Sequence, residues 1–289
     1  MTLLWAGLAT GAVYALVGLA FTIVLTSSDV FNFAQPQFVM LGAFLGYWGL
    51  SETSLPLVVI VAGTLIVGAA LGYLEEIIAI RPLRKRPNAG YAVLVTTVGF
   101  SVALNGLALV IWGSTPAPVS VPNADKIFHI LGGSVSVIDL VLITLALVVG
   151  LSLHYAARRT SWGMAGRAIA ADGDLAVARG VDAPRFKTTG FVLAGAFACA
   201  VGVFIGAKLS ANINLGNSLV ILGFVGLAVG GMGSYVGALV GGLVIGVIQV
   251  LTSRYIGAEY ELVVLFVVLL SILLLRPAGI LGGRQFRTV

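Results

Sequence analysis

Charge is what this chain has least of. Asp, Glu, Lys and Arg make up 9% of its 289 residues, against about 25% in soluble globular domains. With 59% hydrophobic residues and a mean hydropathy of +1.10, it cannot cover a water-facing surface. Cysteine is nearly absent as well. The lone Cys199, set in an apolar run, excludes an intrachain disulfide and reads as packing. The two histidines, His129 and His154, are isolated, and no His-Glu-x-x-His pattern exists, so no metal ligands are expected. A nucleophile elbow is missing. So is a phosphate-binding loop: Gly202 to Lys208 has Ala207 where glycine is needed. The chain therefore reads as a non-enzyme with no catalytic residue and no cofactor of its own. If ATP drives it, hydrolysis belongs to a separate polypeptide.

What is present is a series of long apolar runs. A helical crossing needs roughly 20 apolar residues, and a barrel would show alternation with period two. These runs are uniformly apolar, which predicts an all-α polytopic membrane protein. Candidate segments are Leu3–Leu25, Val30–Leu50, Leu55–Ile80, Tyr91–Trp112, Ile138–Tyr155, Thr189–Leu209, Ser218–Gly230, Gly237–Thr252 and Leu262–Leu275. Eight to ten transmembrane helices or half-helices are expected. Leu3–Leu25 lacks a basic leader region and reads as a crossing rather than a signal peptide. The 38 glycines let membrane helices approach closely. Gly237-x-x-x-Gly241 and Gly242-x-x-x-Gly246 read as tight packing before they read as a dimer motif.

Two breaks interrupt the apolar runs. Asn32, Gln35 and Gln37 are costly in lipid, and Pro36 belongs in a helix's first turn. A helix start near Gln35 is expected, with the polar groups facing protein or water. The second break, Gly230-Gly231-Met232-Gly233-Ser234, follows a short segment. Irregular backbone at membrane depth is tolerated only inside protein or beside a wet cavity, so Asn32, Phe33, Gln35, Gly230, Gly231 and Ser234 are candidate substrate-pathway residues. The competing reading is structural: Asn32 caps a helix and the glycines permit packing. Glu75 and Glu76 come late in their segment and, with Arg81 and Arg84, read as an interfacial charge cluster. No carboxylate is expected at mid-span.

Basic residues orient the chain. Arg81, Arg84, Lys85 and Arg86, six more from Arg158 to Lys187, and Arg276, Arg284 and Arg287 fall on one side if every segment crosses. The positive-inside rule makes that side cytoplasmic and puts the N-terminus outside. The isoelectric point near 9.6 follows from this bias and does not argue for nucleic acid. Residues 113–137 form the main extracytoplasmic loop. Residues 158–187 are the only long polar stretch. Within it, Met164–Ala171 is helix-prone, Asp174 suits the cap of a short helix stopped by Gly180, and Asp182 with Pro184 suits the start of the next. The residues alone leave two readings open, a folded docking element or a solvated connector.

Several motifs, in order along almost the whole chain, resemble one family. They are Gly11-Ala12-Val13-Tyr14-Ala15-Leu16, Asn32-Phe33-Ala34, Glu76 with Ile80-Arg81-Pro82-Leu83-Arg84, and Gly163-Met164-Ala165-Gly166-Arg167-Ala168 with Asp172, Ala176 and Gly180-Val181. Gly230-Gly231-Met232-Gly233-Ser234 and Arg276-Pro277-Ala278-Gly279-Ile280-Leu281-Gly282 complete the set. The chain is similar to LivH-like permease subunits of bacterial ABC importers for branched-chain amino acids. The resemblance implies one permease domain over residues 1–289 in the inner membrane. It implies a second homologous permease subunit (a different chain or a second copy), two cytoplasmic ATPase subunits carrying ATP and Mg²⁺, and a periplasmic or lipid-anchored binding protein. It also implies that Gly163, Met164, Gly166, Arg167, Ala170, Ala171, Asp172, Asp174 and Gly180 build a coupling helix for the ATPase, with Arg167 as a positioned cation that contacts acidic or backbone acceptor groups there. Gln35-Pro36 stands where the family usually has His-Gly or a similar pair. Related systems carry urea, short amides and small organic or aromatic acids, so the cargo stays open. An ion-coupled secondary transporter is the rival class.

Overall fold

A computed structural model describes residues 1–53, 55–83, 89–130 and 132–282. Eleven α-helices account for most of it. They are α1 (Thr2–Ser28), α2 (Gln35–Tyr47), α3 (Leu57–Glu75), α4 (Ala89–Trp112), α5 (Val137–Arg159), α6 (Ser161–Ala171), α7 (Gly173–Ala178), α8 (Ala183–Leu209), α9 (Leu215–Gly230), α10 (Tyr235–Tyr255) and α11 (Glu261–Leu275). Among the described residues, seven spans are long and apolar enough to cross a membrane. α9 is apolar but shorter, and α2 has only 13 residues. Each apolar run in the sequence has become one helix. The all-α expectation misses a small feature: β1 (Ile127–Ile130) and β2 (Gly133–Ser136) pair antiparallel in the loop after α4. A tight turn at Gly132, with φ +73°, lets so short a segment satisfy its own backbone.

The chain divides into two compact units. One comprises Ile23–Ala124 and Tyr155–Val220. At its centre α8 lies against α2 and α3. Glycine makes this possible at each crossing. A Cβ at Gly42 would land on the carbonyl oxygen of Cys199, one at Gly202 on that of Val39, and one at Gly68 on that of Gly195. Lipid is as apolar as a side chain, so membrane helices gain by contact rather than by leaving water. Backbone-on-backbone approach maximises that contact. Cys199 itself is buried at the crossing and free. By contrast Val58, Val59 and Ile66 of α3 and Val95, Val102 and Val110 of α4 are exposed, which suits a surface solvated by lipid.

The other unit comprises Met1–Thr22, Asp125–His154 and Ile221–Val289. Here α1 and α10 cross through Gly11, Gly242 and Gly246. A Cβ on Gly242 would meet the backbone of Ala15, and one on Gly246 that of Gly11. Gly241 packs on Gly226 and Gly230 of α9. Both small-residue spacings in α10 therefore pack within the chain.

Candidate functional site

The polar segment after α5 folds into two short helices fastened to the bases of α5 and α8. Thr160 is extended and caps α6, accepting the Gly163 N–H at 3.2 Å. Gly163 lies against α5: a Cβ there would strike the Ala157 carbonyl. Trp162 packs on Phe186 of α8, with ring centroids 4.9 Å apart. Gly166 leaves room for that same ring, since a Cβ would come within 2.8 Å of Phe186 Cζ. Arg167 folds back, donating from Nη1 to the Ala157 carbonyl and from Nη2 to the Arg158 carbonyl at 3.3 Å. These are α5's last carbonyls, which have no intrahelical partner and favour a cation.

Arg167 remains exposed while making these contacts. The cap expected at Asp174 moves. The α7 N-cap is Asp172, extended at φ −158° and ψ 104°, whose Oδ1 accepts the Leu175 N–H at 2.9 Å. Asp174 falls inside the first turn instead, because the backbone leaves helical geometry at Asp172. Asp182 caps α8 by accepting the Arg185 N–H at 3.0 Å, with Pro184 in the first turn. Gly180, at φ +91°, ends α7. Ala170 and Ala171 form the last turn of α6; their side chains, like that of Asp174, lie outside the described residues. With Gly163 and Gly166 turned inward, the segment shows Met164, Leu175 and Val177, 55%, 51% and 53% exposed. Exposed Arg158, Arg159, Arg179 and Arg185 stand along the same stretch.

The first break is a buried polar junction. Asn32 and Gln35 are 1% and 0% exposed. Asn32 Nδ2 donates to Glu75 Oε2 at 2.8 Å and to Gln35 Oε1 at 3.2 Å, and its Oδ1 accepts the Ala34 N–H. Gln35 Nε2 donates to the Ala194 carbonyl of α8 at 2.7 Å. Two residues on, Gln37 Nε2 donates to Ser101 Oγ on α4 and Asn217 Oδ1 on α9. The start of α2 is thus tied to α3, α4, α8 and α9, and the polar groups expected there do face protein. Phe33 is half-buried, edge-on to Phe31 at 4.9 Å. The expected charge cluster falls partly outside the described residues. Glu75 and Glu76 are 0% and 1% exposed while Arg81 is exposed. Glu75 turns to Asn32. Arg84 lies outside the described residues. Glu75 had no signal in its own neighbourhood, since its partner is 43 residues away.

The second break is filled by the segment after α11. The Ile280 and Leu281 N–H groups donate to the Val229 and Gly230 carbonyls, both at 2.9 Å. Gly231, at φ +116°, packs on Gly279 and Gly282. Ser234 caps α10 by accepting the Gly237 N–H at 3.0 Å. Gly230, Gly231 and Ser234 thus make packing and capping contacts inside their unit.

Comparison with known proteins adds an independent line. The family described as branched-chain amino acid transport system / permease component matches residues 3–273. The chain is 29% identical to the high-affinity branched-chain amino acid transport system permease protein LivH of Salmonella typhimurium, over 98% of this chain and 96% of that one. Its identity to BraD of Pseudomonas aeruginosa is also 29%, with the same coverage. The probable LivH of Methanocaldococcus jannaschii is 26% identical over 92% of this chain and 88% of that one. Among solved structures, PsaBC from Streptococcus pneumoniae in complex with Fab is similar at a TM-score of 0.48 and 12% identity, covering 94% of this chain and 91% of that one.

Proposed function

Since the chain belongs to the branched-chain amino acid transport permease family, we propose that it is the multi-pass permease of an ABC importer that moves branched-chain or other hydrophobic amino acids inward. The observation that carries the ATP-driven part is the α6–α7 segment. A chain with few charges has placed a capped, aromatic-anchored helical pair on the side the positive-inside rule makes cytoplasmic. Its exposed residues are apolar with arginines nearby. Exposed apolar side chains on a water-facing element suit a protein contact, and arginines select a partner with acidic groups. The partner we propose is a soluble ATPase subunit. ATP and Mg²⁺ would be bound there, and closure of two such subunits would pull on α6. The rigid seating of α6 on α5 and α8 supports that role, because a flexible tether would absorb the motion.

The remaining assembly is proposed on the same footing: a second homologous permease, or a second copy, and an extracytoplasmic binding protein that delivers the solute. The pathway assignment of Asn32 and Gln35 changes in character. Their amides are spent on Glu75, Ala194 and each other, so we propose that they position Phe33 rather than hold solute. One observation favours the ion-coupled reading, the buried carboxylate of Glu75: Asn32 donates to its Oε2, and its Oε1 has no hydrogen-bond partner among the described residues.

The test is uptake into proteoliposomes holding the permease with its ATPase and binding-protein partners. Leucine accumulation that requires ATP and survives collapse of ion gradients is the expected result. Uptake that follows an ion gradient without ATP would overturn the proposal. Uptake of urea or benzoate with no response to leucine would keep the importer class and change its cargo.

A further inference from the structure

Outside the two breaks, one groove combines features that neither packing nor lipid exposure requires. It has a volume of about 350 Å³ and lies within a single unit, between the N-terminal half of α1, the C-terminal end of α10 and the start of α11. By the positive-inside rule this end is extracytoplasmic. Its walls are Leu3 and Val250, Thr10 and Ser253, and the charged pair Arg254 and Glu261, with Gln249 between. The size falls in the ordinary range for small-molecule sites.

Glu261 is held in place. Tyr14, 4% exposed, donates from its hydroxyl to Gln249 Oε1, and Gln249 Nε2 donates to Glu261 Oε2 at 2.6 Å. One carboxylate oxygen is thereby fixed, and the other has no hydrogen-bond partner among the described residues. Arg254 lines the same groove, yet no ion pair joins it to Glu261 among the described residues. Helix dipoles favour a cation at the end of α10 and an anion at the start of α11. They do not account for a buried tyrosine and a glutamine that lock the carboxylate beside an open groove. An anion and a cation facing one cavity without pairing suit a ligand that carries both charges itself.

We propose that this groove is an entry subsite for a zwitterionic α-amino acid. Glu261 receives the ammonium group, Arg254 receives the carboxylate, and Leu3 and Val250 face the aliphatic side chain. The assignment rests on the amino-acid reading above and adds a location and two recognition residues to it. The guanidinium's planar fork matches a carboxylate, and a ligand lacking either charge leaves one protein group unanswered.

Binding to the full chain in lipid nanodiscs tests this, using L-leucine, 4-methylpentanoate (no ammonium group) and 3-methylbutylamine (no carboxylate). Leucine should bind about tenfold more tightly than either analogue, the scale of one hydrogen bond to a charged group. In Arg254→Gln, leucine and 4-methylpentanoate should weaken about tenfold while 3-methylbutylamine is unchanged. In Glu261→Gln, which keeps an acceptor for Gln249, leucine and the amine should weaken and the acid should not. Equal weakening of all three ligands in both variants would mean a structural role and overturn the subsite. So would unchanged affinities, or no leucine binding. ATP-driven leucine uptake by the assembled transporter is measured alongside. Uptake without the crossed pattern defeats this inference alone, and absence of uptake defeats the amino-acid reading beneath it.

Discussion

Asn32 shows how one residue can be polar, buried in a membrane protein and still mainly architectural. Its amide meets the Glu75 carboxylate at 2.8 Å in a site with no water access. Removing one partner of a buried polar pair leaves the other to bear its desolvation cost. Asn32→Ala should therefore destabilise the fold by about 1–3 kcal/mol, seen as a lower unfolding temperature in detergent. Asn32→Ala combined with Glu75→Leu should recover part of that loss, because both polar groups are then gone. Strictly additive losses in the double variant would contradict the pairing. Gly42 gives a second test at this scale. Its missing Cβ leaves room for the Cys199 carbonyl, so Gly42→Leu should abolish stable expression while Gly63→Ala, in open space, should be neutral. A fluorescence-monitored expression and size-exclusion assay reads both.

At the scale of elements, α6 and α7 exist because caps and anchors hold them. Asp172 ends one helix and starts the next, so Asp172→Ala should cost about 1 kcal/mol and speed amide exchange in Leu175–Ala178 while leaving α8 unchanged. Gly166→Leu should displace Phe186 and loosen α6 from α8, raising exchange across Ser161–Ala171. Uniform exchange in both variants would refute this account of the anchoring. These helices also show where sequence reasoning stopped. Helix start, stop and cap signals are local in the chain, so the Gln35 start, the Asp182 cap and the Gly180 stop were legible. The bonds from Arg167 to the Ala157 and Arg158 carbonyls were not legible, because these acceptors meet it only once α6 turns back on α5. Trp162 was passed over because its partner Phe186 is 24 positions away. The Asn32–Glu75 pair and the filling of the Gly230–Ser234 break by residues 278–282 are tertiary facts of the same kind.

At the scale of the whole molecule, the distribution of arginine and lysine implies an orientation that the fold leaves testable. In a Cys199→Ala background, Asp125→Cys should react with an impermeant maleimide added outside intact cells. Arg179→Cys should react only after permeabilisation. The opposite pattern would invert the chain and strip α6–α7 of a cytoplasmic partner. Given that orientation, the central claim is that the chain is driven through Met164, Leu175 and Val177, the apolar residues left outward when Gly163 and Gly166 face in. The most direct measurement is ATP hydrolysis by the reconstituted permease–ATPase complex, with and without solute-loaded binding protein. Met164→Glu with Leu175→Glu should abolish the stimulation and weaken co-purification of the ATPase, with the permease's unfolding temperature unchanged. Full stimulation with both glutamates in place would show that the drive enters elsewhere and contradict the account.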